Sequence, residues 1–286
     1  MPDMEGFTQI DLTPEHAAAG LQLSTLIGWN QAFGDWDYLL AHGDGVGLIT
    51  PDGGLAATAM ALPYGRFAWI CMVLVAPDYR RRGLATELMN AVIERQEEAG
   101  RVPGLDATPD GREVYRRIGF QDIYQLGRFR AERISALPAN TSDVDVRLLT
   151  DADLDRIAPV DLQLFGADRL ALLHHLKDRV PAAGLGAWRQ GELAGYVLAR
   201  DGREATQVGP LAASDDTVAQ ALAAAALTSM KGPVYIDAAD VRPAFRAWLE
   251  VRGFALQRPF FRMYRGQDRG FDDPGWLYAI AGPELA

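Results

Sequence analysis

Three consecutive arginines stand directly before a glycine in the segment VAPDYRRRGLA, residues 75–85. A β-branched run precedes the segment and apolar residues at helical spacing follow it, so it joins a strand to a helix. The first N–H groups of a helix lack backbone partners and, with the helix dipole, bind phosphate oxygens. Gly83 allows close backbone approach, and Arg80, Arg81 and Arg82 each add a charge-assisted donor worth about 1.5–3 kcal/mol. The pattern predicts a phosphate site.

The alternative is a surface helix that begins with arginines and binds nothing. Cations at a helix N-terminus oppose the helix dipole, so three of them favour an anion close by. The turn is not the dinucleotide-binding fingerprint, because no second and third glycine follow Gly83 at the required spacing. From the residues alone the anion site is favoured, and the surface-helix alternative stays open.

The elements that would position this turn follow from periodicity and turn residues. Strands are predicted at residues 46–50, 54–62, 67–75, 102–107 and 120–130. Helices are predicted at residues 14–26 and 35–40, from residue 84 to a stop at Gly100, and at 111–118. This order of helices, antiparallel strands and strand–helix–strand units predicts an α+β fold with a mixed sheet.

The chain also repeats itself. GLITPDGGLAATAM at residues 47–60 resembles GAWRQGELAGYVLA at 186–199, and aligning Leu55-Ala56 with Leu193-Ala194 gives an offset of 138. YRRIGF resembles WLEVRGF, and their last residues, Phe120 and Phe254, give an offset of 134. These offsets predict two copies of a unit of roughly 135 residues. An intermediate offset of 136 places Asp216-Thr217-Val218-Ala219 on the arginine turn, with Asp215 just before it. Acidic residues there would cap the helix and repel a phosphate, so the second copy is predicted to have lost the phosphate site.

Composition narrows the class of protein. A length of 286 residues suits two domains, and a net charge of −10 argues against a nucleic-acid binder while weakly favouring a cationic partner. The acidic amino terminus lacks the pattern of a secretory signal, and no apolar run is long enough for a membrane span. Cys71 is the single cysteine. We therefore expect a cytoplasmic protein without a membrane partner, and without a metal, since adjacent His174 and His175 would diverge on a helix.

The motif VLVAPDYRRRGLATELM, with Arg80-x-x-Gly83-x-Ala85, resembles the cofactor motif of the GNAT superfamily of N-acyltransferases. ATPDGREVYRRIGF resembles the motif that follows it in that superfamily, and GYVLARDG, QVGPLAASD, VYID and FFRMY resemble the C-terminal domain of a bacterial tandem-GNAT subfamily. The resemblance implies two tandem GNAT-like domains, each a mixed, mostly antiparallel sheet flanked by helices. It implies an N-terminal cofactor domain over residues 1–135 and a degenerate C-terminal domain over residues 146–286 that helps to build the acceptor pocket. Residues 131–145, with Pro138, Asn140 and Ser142, are a predicted surface linker.

The resemblance also implies site residues. The strand would bind the pantetheine arm of acetyl-CoA and the turn its pyrophosphate. The implied cofactor residues are Val73, Leu74, Val75, Arg80, Arg81, Arg82, Gly83, Leu84, Ala85, Thr86 and Thr108. At the position of Thr108 many relatives carry an asparagine. Tyr115 would be the acid that protonates the departing thiolate, whereas the helical spacing alone favours a packing role for this residue.

Candidate acceptor residues are less specific. Trp29, Asn30 and Tyr64 are expected at the acceptor pocket, where ordinary packing is an equally good interpretation. No convincing general base is found; Asp35, Asp37 and Tyr64 are candidates that are also explained as turn or surface residues, and a chain of waters could serve instead.

The predicted function is an N-acetyltransferase that moves an acetyl group from acetyl-CoA to a primary amine of a small molecule by direct attack. Two alternatives remain: a non-catalytic acyl-CoA-binding or sensing protein, and a protein or peptide N-acetyltransferase. The resemblance implies a monomer or a homodimer.

Overall fold

The computed structural model describes residues 5–138 and 143–286. Asn140 and Ser142 of the predicted linker lie outside the described residues. The described chain forms two compact units. Unit 1 contains the residues up to Leu105 with residues 202–204 and Leu285, and unit 2 contains residues 106–201, 205–284 and Ala286. Each unit is described separately below.

The described part of unit 1 is a five-stranded sheet with three α-helices and two short 3-10 helices, Pro14–His16 and Pro77–Tyr79. In chain order its elements are β1 (Thr8–Asp11), α1 (Ala17–Leu26), α2 (Phe33–His42), β2 (Asp44–Ile49), β3 (Leu55–Tyr64), β4 (Phe67–Val75), α3 (Leu84–Glu98) and β5 (Val102–Ala107). Strands β1 to β4 are antiparallel neighbours, and β5 pairs parallel to β4. A parallel pair needs a crossover, and α3 provides it. The last two residues of β5 belong to unit 2.

The core of unit 1 lies along β3 and β4, where nearly every residue is buried. Such continuous apolar runs are typical of strands covered on both faces. Helices α1, α2 and α3 all pack against β3. The predicted strands at 67–75 and 102–107 are confirmed to the residue, because turn residues bound both runs.

Unit 2 contains the remaining elements. They are α4 (Pro109–Arg117), β6 (Phe120–Ala131), β7 (Asp145–Leu148), α5 (Asp151–Phe165), α6 (Leu170–Arg179), β8 (Leu185–Arg189), β9 (Glu192–Arg200), β10 (Thr206–Ala213), α7 (Asp216–Thr228), β11 (Val234–Ala239), α8 (Pro243–Val251), β12 (Ala255–Arg265) and β13 (Leu277–Ala279). The sheet order is β12-β6-β11-β13-β10-β9-β8-β7. None of the helices in the described part of the chain is long and apolar enough to cross a membrane.

The order of elements repeats. The series β1-α1-α2-β2-β3-β4-α3-β5-α4-β6, called the first copy, recurs as β7-α5-α6-β8-β9-β10-α7-β11-α8-β12, called the second copy. The predicted duplication is thereby confirmed at the level of secondary structure. Strand β13 follows the second copy.

The last strand of the first copy lies inside the sheet of unit 2. β6 pairs antiparallel with both β11 and β12. Arg128 on β6 donates two hydrogen bonds of 2.7 Å to Asp237, its register partner on β11, and both side chains are buried. Removing one partner of such a pair leaves a buried charge and typically costs about 3–5 kcal/mol. The compact units therefore divide at Leu105, whereas the domain bounds 1–135 and 146–286 follow the sequence repeat and stay a prediction.

Candidate active site

A solvent-open cleft lies in unit 1, where the end of β4 meets the start of α3, with a volume of about 700 Å³ that includes the open solvent at its mouth. Its lining includes every predicted cofactor residue except Arg82 and Thr108. The lining residues are Ile27, Trp29, Val73, Leu74, Val75, Tyr79, Arg80, Arg81, Gly83, Leu84, Ala85 and Thr86. The strand and the turn that sequence analysis singled out thus share one cleft.

The strand side of the cleft has an open backbone edge. In the described chain, β4 pairs with β5 only over Phe67, Ala68 and Trp69, so the two strands separate before residue 73. The N–H of Ala76 donates to Ala56 on β3 at 2.8 Å. Because backbone groups alternate between the two edges of a strand, Val75 and Val73 direct theirs away from β3. An extended ligand with amide groups can pair with this edge.

The turn side of the cleft is a helix start without a side-chain cap. Gly83 is the N-cap of α3 with φ 82°, and no side chain among the described residues caps the helix there. Arg81 also takes a positive φ of 65°. Backbone N–H groups that converge in such left-handed turns form an anion-binding concavity, and the helix dipole adds to it. The sequence-predicted phosphate turn has the geometry to bind an anion.

The three arginines of the turn differ in what they contact. Nε of Arg80 donates to Val75 O at 3.2 Å. The guanidinium of Arg82 bonds the backbone oxygen of Glu5 at 3.3 Å and lies 4.9 Å from the ring centre of Phe7. Within residues 5–138 and 143–286, the structure gives the Arg81 guanidinium neither an ion pair nor a hydrogen bond. Arg81 is therefore the side chain best placed to meet a ligand.

Tyr115 lies in unit 2, on α4, and is half-buried. Its ring centre is 6.0 Å from that of Phe120, and burial raises the pKa of its phenol. Among the described residues, no hydrogen-bond partner is recorded for its hydroxyl. A neutral phenol without an internal partner can donate a proton or a hydrogen bond to a ligand.

Helix α4 is capped at its start and anchored at Arg112. The hydroxyl of Thr108 accepts from Gly111 N at 3.3 Å, so this predicted cofactor residue is the N-cap of α4. Arg112 donates two hydrogen bonds to Asp122 on β6, at 2.8 and 2.7 Å, and lies 3.9 Å over the ring of Phe261. These contacts hold the helix that carries Tyr115 on the sheet of unit 2.

The predicted acceptor residues have different surroundings. Trp29 lines the cleft of unit 1. Asn30 is buried, and its side-chain oxygen accepts from Glu204 N at 2.8 Å. Tyr64 is buried and donates to Leu285 O at 2.9 Å. The polar groups of Asn30 and Tyr64 are thus engaged within unit 1, which fits the packing interpretation better than an acceptor contact.

The candidate bases lie in ordinary structural positions. Asp35 is buried, and its carboxylate accepts from Ala32 N at 2.7 Å at the start of α2. Asp37 is exposed on the same helix. No group of three or more metal-ligating side chains occurs in the part of the chain that the structure describes.

Two family models match the chain. The model described as the acetyltransferase (GNAT) family matches residues 16–120, and the model described as the acetyltransferase (GNAT) domain matches residues 157–279. The chain is a tandem GNAT acetyltransferase. The first match contains the cleft-lining strand and turn, and the second covers most of the second copy.

Relatives and solved structures agree with this membership. An uncharacterized N-acetyltransferase of Bacillus subtilis strain 168, YitH, is 26% identical over 96% of this chain and 97% of its own length. The holothin acyltransferase of a Pseudoalteromonas species is 28% identical, over 77% of this chain and 73% of its own. A Pyrococcus horikoshii protein, provisionally assigned as an acetyltransferase, superimposes with a TM-score of 0.80 at 18% identity, over 99% of this chain and 96% of its own. A tandem GNAT protein from the clavulanic acid biosynthesis pathway has TM-score 0.65 at 18% identity, with 90% and 97% coverage. At such identities the structures show a shared fold.

The helix start of the second GNAT copy is capped. Asp215 is the N-cap of α7, and its carboxylate accepts from Val218 N at 3.0 Å and from Arg189 at 2.7 Å. Burial opposes ionisation of Asp215, but the bonds from Arg189 and Val218 outweigh it and lower its pKa. The predicted acidic cap is confirmed, and it places a negative charge where the first copy leaves free N–H groups.

The match of residues 216–219 to the arginine turn is wrong, and the structure shows why. Eight residues, 76–83, join β4 to α3, whereas only Ser214 and Asp215 join β10 to α7. The two helices begin at Leu84 and Asp216, an offset of 132. Gly83 therefore corresponds to Asp215, and most of the arginine turn has no counterpart in the second copy. A uniform offset of 136 concealed this shortening.

A strand from the chain itself lies between β10 and β11. These strands pair in parallel at residues 206–208 and 234–236, as β4 and β5 do at their beginnings. Beyond that point β13 enters, pairing antiparallel with both strands through Ala279, which meets Leu211 and Ala238. The hydroxyl of Tyr278 donates to Asp216 at 2.8 Å. The opening that is free beside β4 is thus filled beside β10.

Proposed function

We propose that this GNAT binds acetyl-CoA in the cleft of unit 1 and transfers the acetyl group to the primary amine of a small molecule. The observation that carries the proposal is the junction, in one cleft, of an open strand edge and an uncapped helix start. Pantetheine has two amides that can pair with a strand edge, and CoA has a pyrophosphate that suits a helix start. The cleft offers both in the order in which CoA presents them.

The chain's own residues have the following roles in the proposed reaction. The backbone of Val73 and Val75 pairs with the pantetheine arm, and the turn at Arg81 and Gly83 holds the pyrophosphate. The amine, cationic in solution, first loses a proton to water. The neutral amine then attacks the thioester carbonyl, the carbon–sulfur bond breaks, and the nitrogen gives up a second proton to water. Tyr115 donates its phenolic proton to the leaving thiolate and regains a proton from water. A phenol with a raised pKa is fully protonated at pH 7, as this role requires.

One CoA per chain is part of the proposal. Two features of the second copy support it: the Asp215 carboxylate accepts from the Val218 N–H at the helix start, and β13 occupies the strand edge. An ionised carboxylate beside a pyrophosphate is also repulsive. The second copy has retained the fold and lost both halves of the cofactor site.

The proposed acceptor is a small amine that is cationic before it reacts. The net charge of −10 favours such a partner. The relative named for holothin supports transfer to a compound rather than to a polypeptide. The acceptor is proposed only as a class.

The test combines a binding and a turnover experiment. Calorimetry with CoA should give a stoichiometry of one, and the double variant Arg81→Glu with Gly83→Asp should lose binding while its circular dichroism is unchanged. A panel of small primary amines and of peptides with free amines should show CoA release, followed with a thiol reagent, for small amines. Binding of two CoA, or unchanged affinity in the double variant, would refute the site. Turnover of peptides only, or of no amine despite tight CoA binding, would favour peptide acetylation or acyl-CoA sensing respectively.

A further inference from the structure

The open edge of β4 depends on a bulge within that strand. In the register with β3, Thr58 faces Leu74 and Met60 faces Cys71, so Ala59 alone faces the two residues Met72 and Val73. Two residues opposite one define a β-bulge. Met72 has φ 48°, a left-handed conformation that costs a non-glycine residue about 1–2 kcal/mol. Such a conformation persists only where neighbouring groups hold it.

The hydroxyl of Thr58 holds the bulge in place. It donates to the carbonyl oxygen of Met72 at 2.7 Å, and both residues are buried. A bulge takes its residues out of the regular ladder, so this carbonyl needs a partner from elsewhere. Thr58 is the one polar residue between Leu55 and Leu62 of β3. Among the described residues, the bond to Met72 is the only hydrogen bond of the Thr58 hydroxyl, and it accounts for a polar side chain at this buried position.

The bulge decides which way the cleft residues face. Side chains and backbone groups alternate along a strand with a period of two, so one extra residue reverses the direction of every residue after it. Without the bulge, Val73 and Val75 would direct their backbone groups toward β3, and the edge beside the cleft would present Leu74. The pairing partners offered to a ligand would be shifted by one residue, about 3.3 Å along the strand.

We propose that Thr58 is a positioning residue for the cofactor: its hydroxyl, through the Met72 carbonyl, sets the strand edge that pairs with the pantetheine arm. This inference rests on the proposed function, because it concerns the same cleft. Thr58 does not line the cleft itself. It acts on the ligand only through the conformation of β4.

The second copy provides an internal comparison. Tyr196 faces Ala212 as Thr58 faces Leu74, with an offset of 138 in both strands. Strand β10 also has a register shift between Val208 and Leu211. The hydroxyl of Tyr196, however, donates to Asp161 instead of to the shifted strand. The first copy, whose strand edge is open, thus has a hydroxyl bonded to the bulge. In the second copy, whose edge is paired with β13, the corresponding hydroxyl bonds Asp161 instead.

Three variants of the full chain test the inference. Thr58→Val keeps the shape and removes the donor, Thr58→Ser restores the donor, and Thr50→Val is the matched control. Thr50 bonds the backbone of Gly54 at 2.9 and 3.1 Å in the same unit but does not line the cleft. Calorimetry should show a Kd for CoA raised roughly 3–10-fold in Thr58→Val, the value of one hydrogen bond. Thr58→Ser and Thr50→Val should bind CoA like the wild type, although Thr50→Val loses thermal stability.

A second measurement without ligand separates this inference from the proposed function. Hydrogen exchange of the Leu74 amide, read by NMR, should accelerate in ligand-free Thr58→Val and not in Thr50→Val. If the wild type fails to bind CoA, the proposed function is wrong, and the exchange experiment still decides whether Thr58 holds the bulge. Wild-type affinity and exchange in Thr58→Val, or an equal loss of affinity in Thr50→Val, would overturn the inference. Should Thr58→Val not fold, Thr58→Ala is measured in its place with the same two criteria.

Discussion

Arg81 and Arg82 are neighbours in sequence with the same charge, and the structure predicts that only one of them is needed for CoA. Arg81 lines the cleft and has no ion pair or hydrogen bond within the described residues, whereas Arg82 bonds the Glu5 backbone and stacks on Phe7. The perturbation is Arg81→Ala, with Arg82→Ala as the matched control. Both variants remove one positive charge from the same turn, so a general charge effect cancels between them.

The expected magnitude follows from the contact that is lost. A hydrogen bond to a charged group contributes about 1.5–3 kcal/mol, which corresponds to a Kd for CoA raised roughly 10–150-fold in Arg81→Ala. Arg82→Ala loses a half-buried cation–π contact with Phe7 worth about 0.5–1 kcal/mol, and this loss affects stability rather than binding. Its Kd should stay within about threefold of the wild-type value, because surface substitutions away from a site change free energies by about 0.5 kcal/mol.

The assay is calorimetry of both variants with CoA and with dephospho-CoA at one fixed ionic strength, because salt screens exposed charges. If Arg81 binds the pyrophosphate, both ligands lose affinity by the same factor, since both retain that group. A loss confined to CoA would place Arg81 at the 3′-phosphate instead. An Arg82→Ala variant that binds CoA as weakly as Arg81→Ala would refute the assignment of CoA binding to Arg81 alone.

Two further predictions concern α4. Tyr115→Phe should lower kcat by roughly 10²–10⁴ with little change in the Kd for CoA, the usual size of a general-acid effect; a wild-type kcat would make Tyr115 a packing residue. The hydrogen bonds from Arg112, and to a smaller extent from Arg116, lower the pKa of Asp122. The ionised Asp122 therefore stabilises the fold above its unfolded pKa of about 3.9, and this stabilisation is lost as the pH falls below that value. Urea unfolding of Asp122→Asn should therefore show a loss of about 0.5–1.5 kcal/mol at pH 7. This loss should shrink as the pH falls below the unfolded pKa and vanish once Asp122 is protonated in the folded state, and a loss independent of pH would contradict this origin.

Local patterns predicted much of the first copy. The strand at 67–75, the helix that follows Gly83 and the strand at 102–107 were found because periodicity and turn residues act over a few neighbours. The arginines before Gly83 indicated an anion site for the same reason, since the helix dipole is a local property. The acidic helix start of the second copy was also predicted, and Asp215 caps it as expected.

Other features could not be predicted from the sequence, because they depend on residues that are far apart along the chain. The shortened connection at Ser214 and Asp215 was missed because sequence alignment with a uniform offset cannot locate a deletion between two weak anchors. The different roles of Arg81 and Arg82 depend on Glu5 and Phe7, more than seventy positions away along the chain. No local signal distinguishes the two side chains.

The sequence by itself determined the duplicated α+β unit, the arginine-rich turn before Gly83 and the family, because these reside in short motifs and in periodicity. The tertiary structure decided where the strand edges are open. Whether an edge is open depends on which strands pair, and pairing joins residues far apart in sequence. In the first copy β4 separates from β5 and Thr58 holds the bulge, whereas in the second copy β13 returns from the end of the described chain to fill the same opening. The same arrangement of strands therefore leaves this edge open in the first copy and closes it in the second.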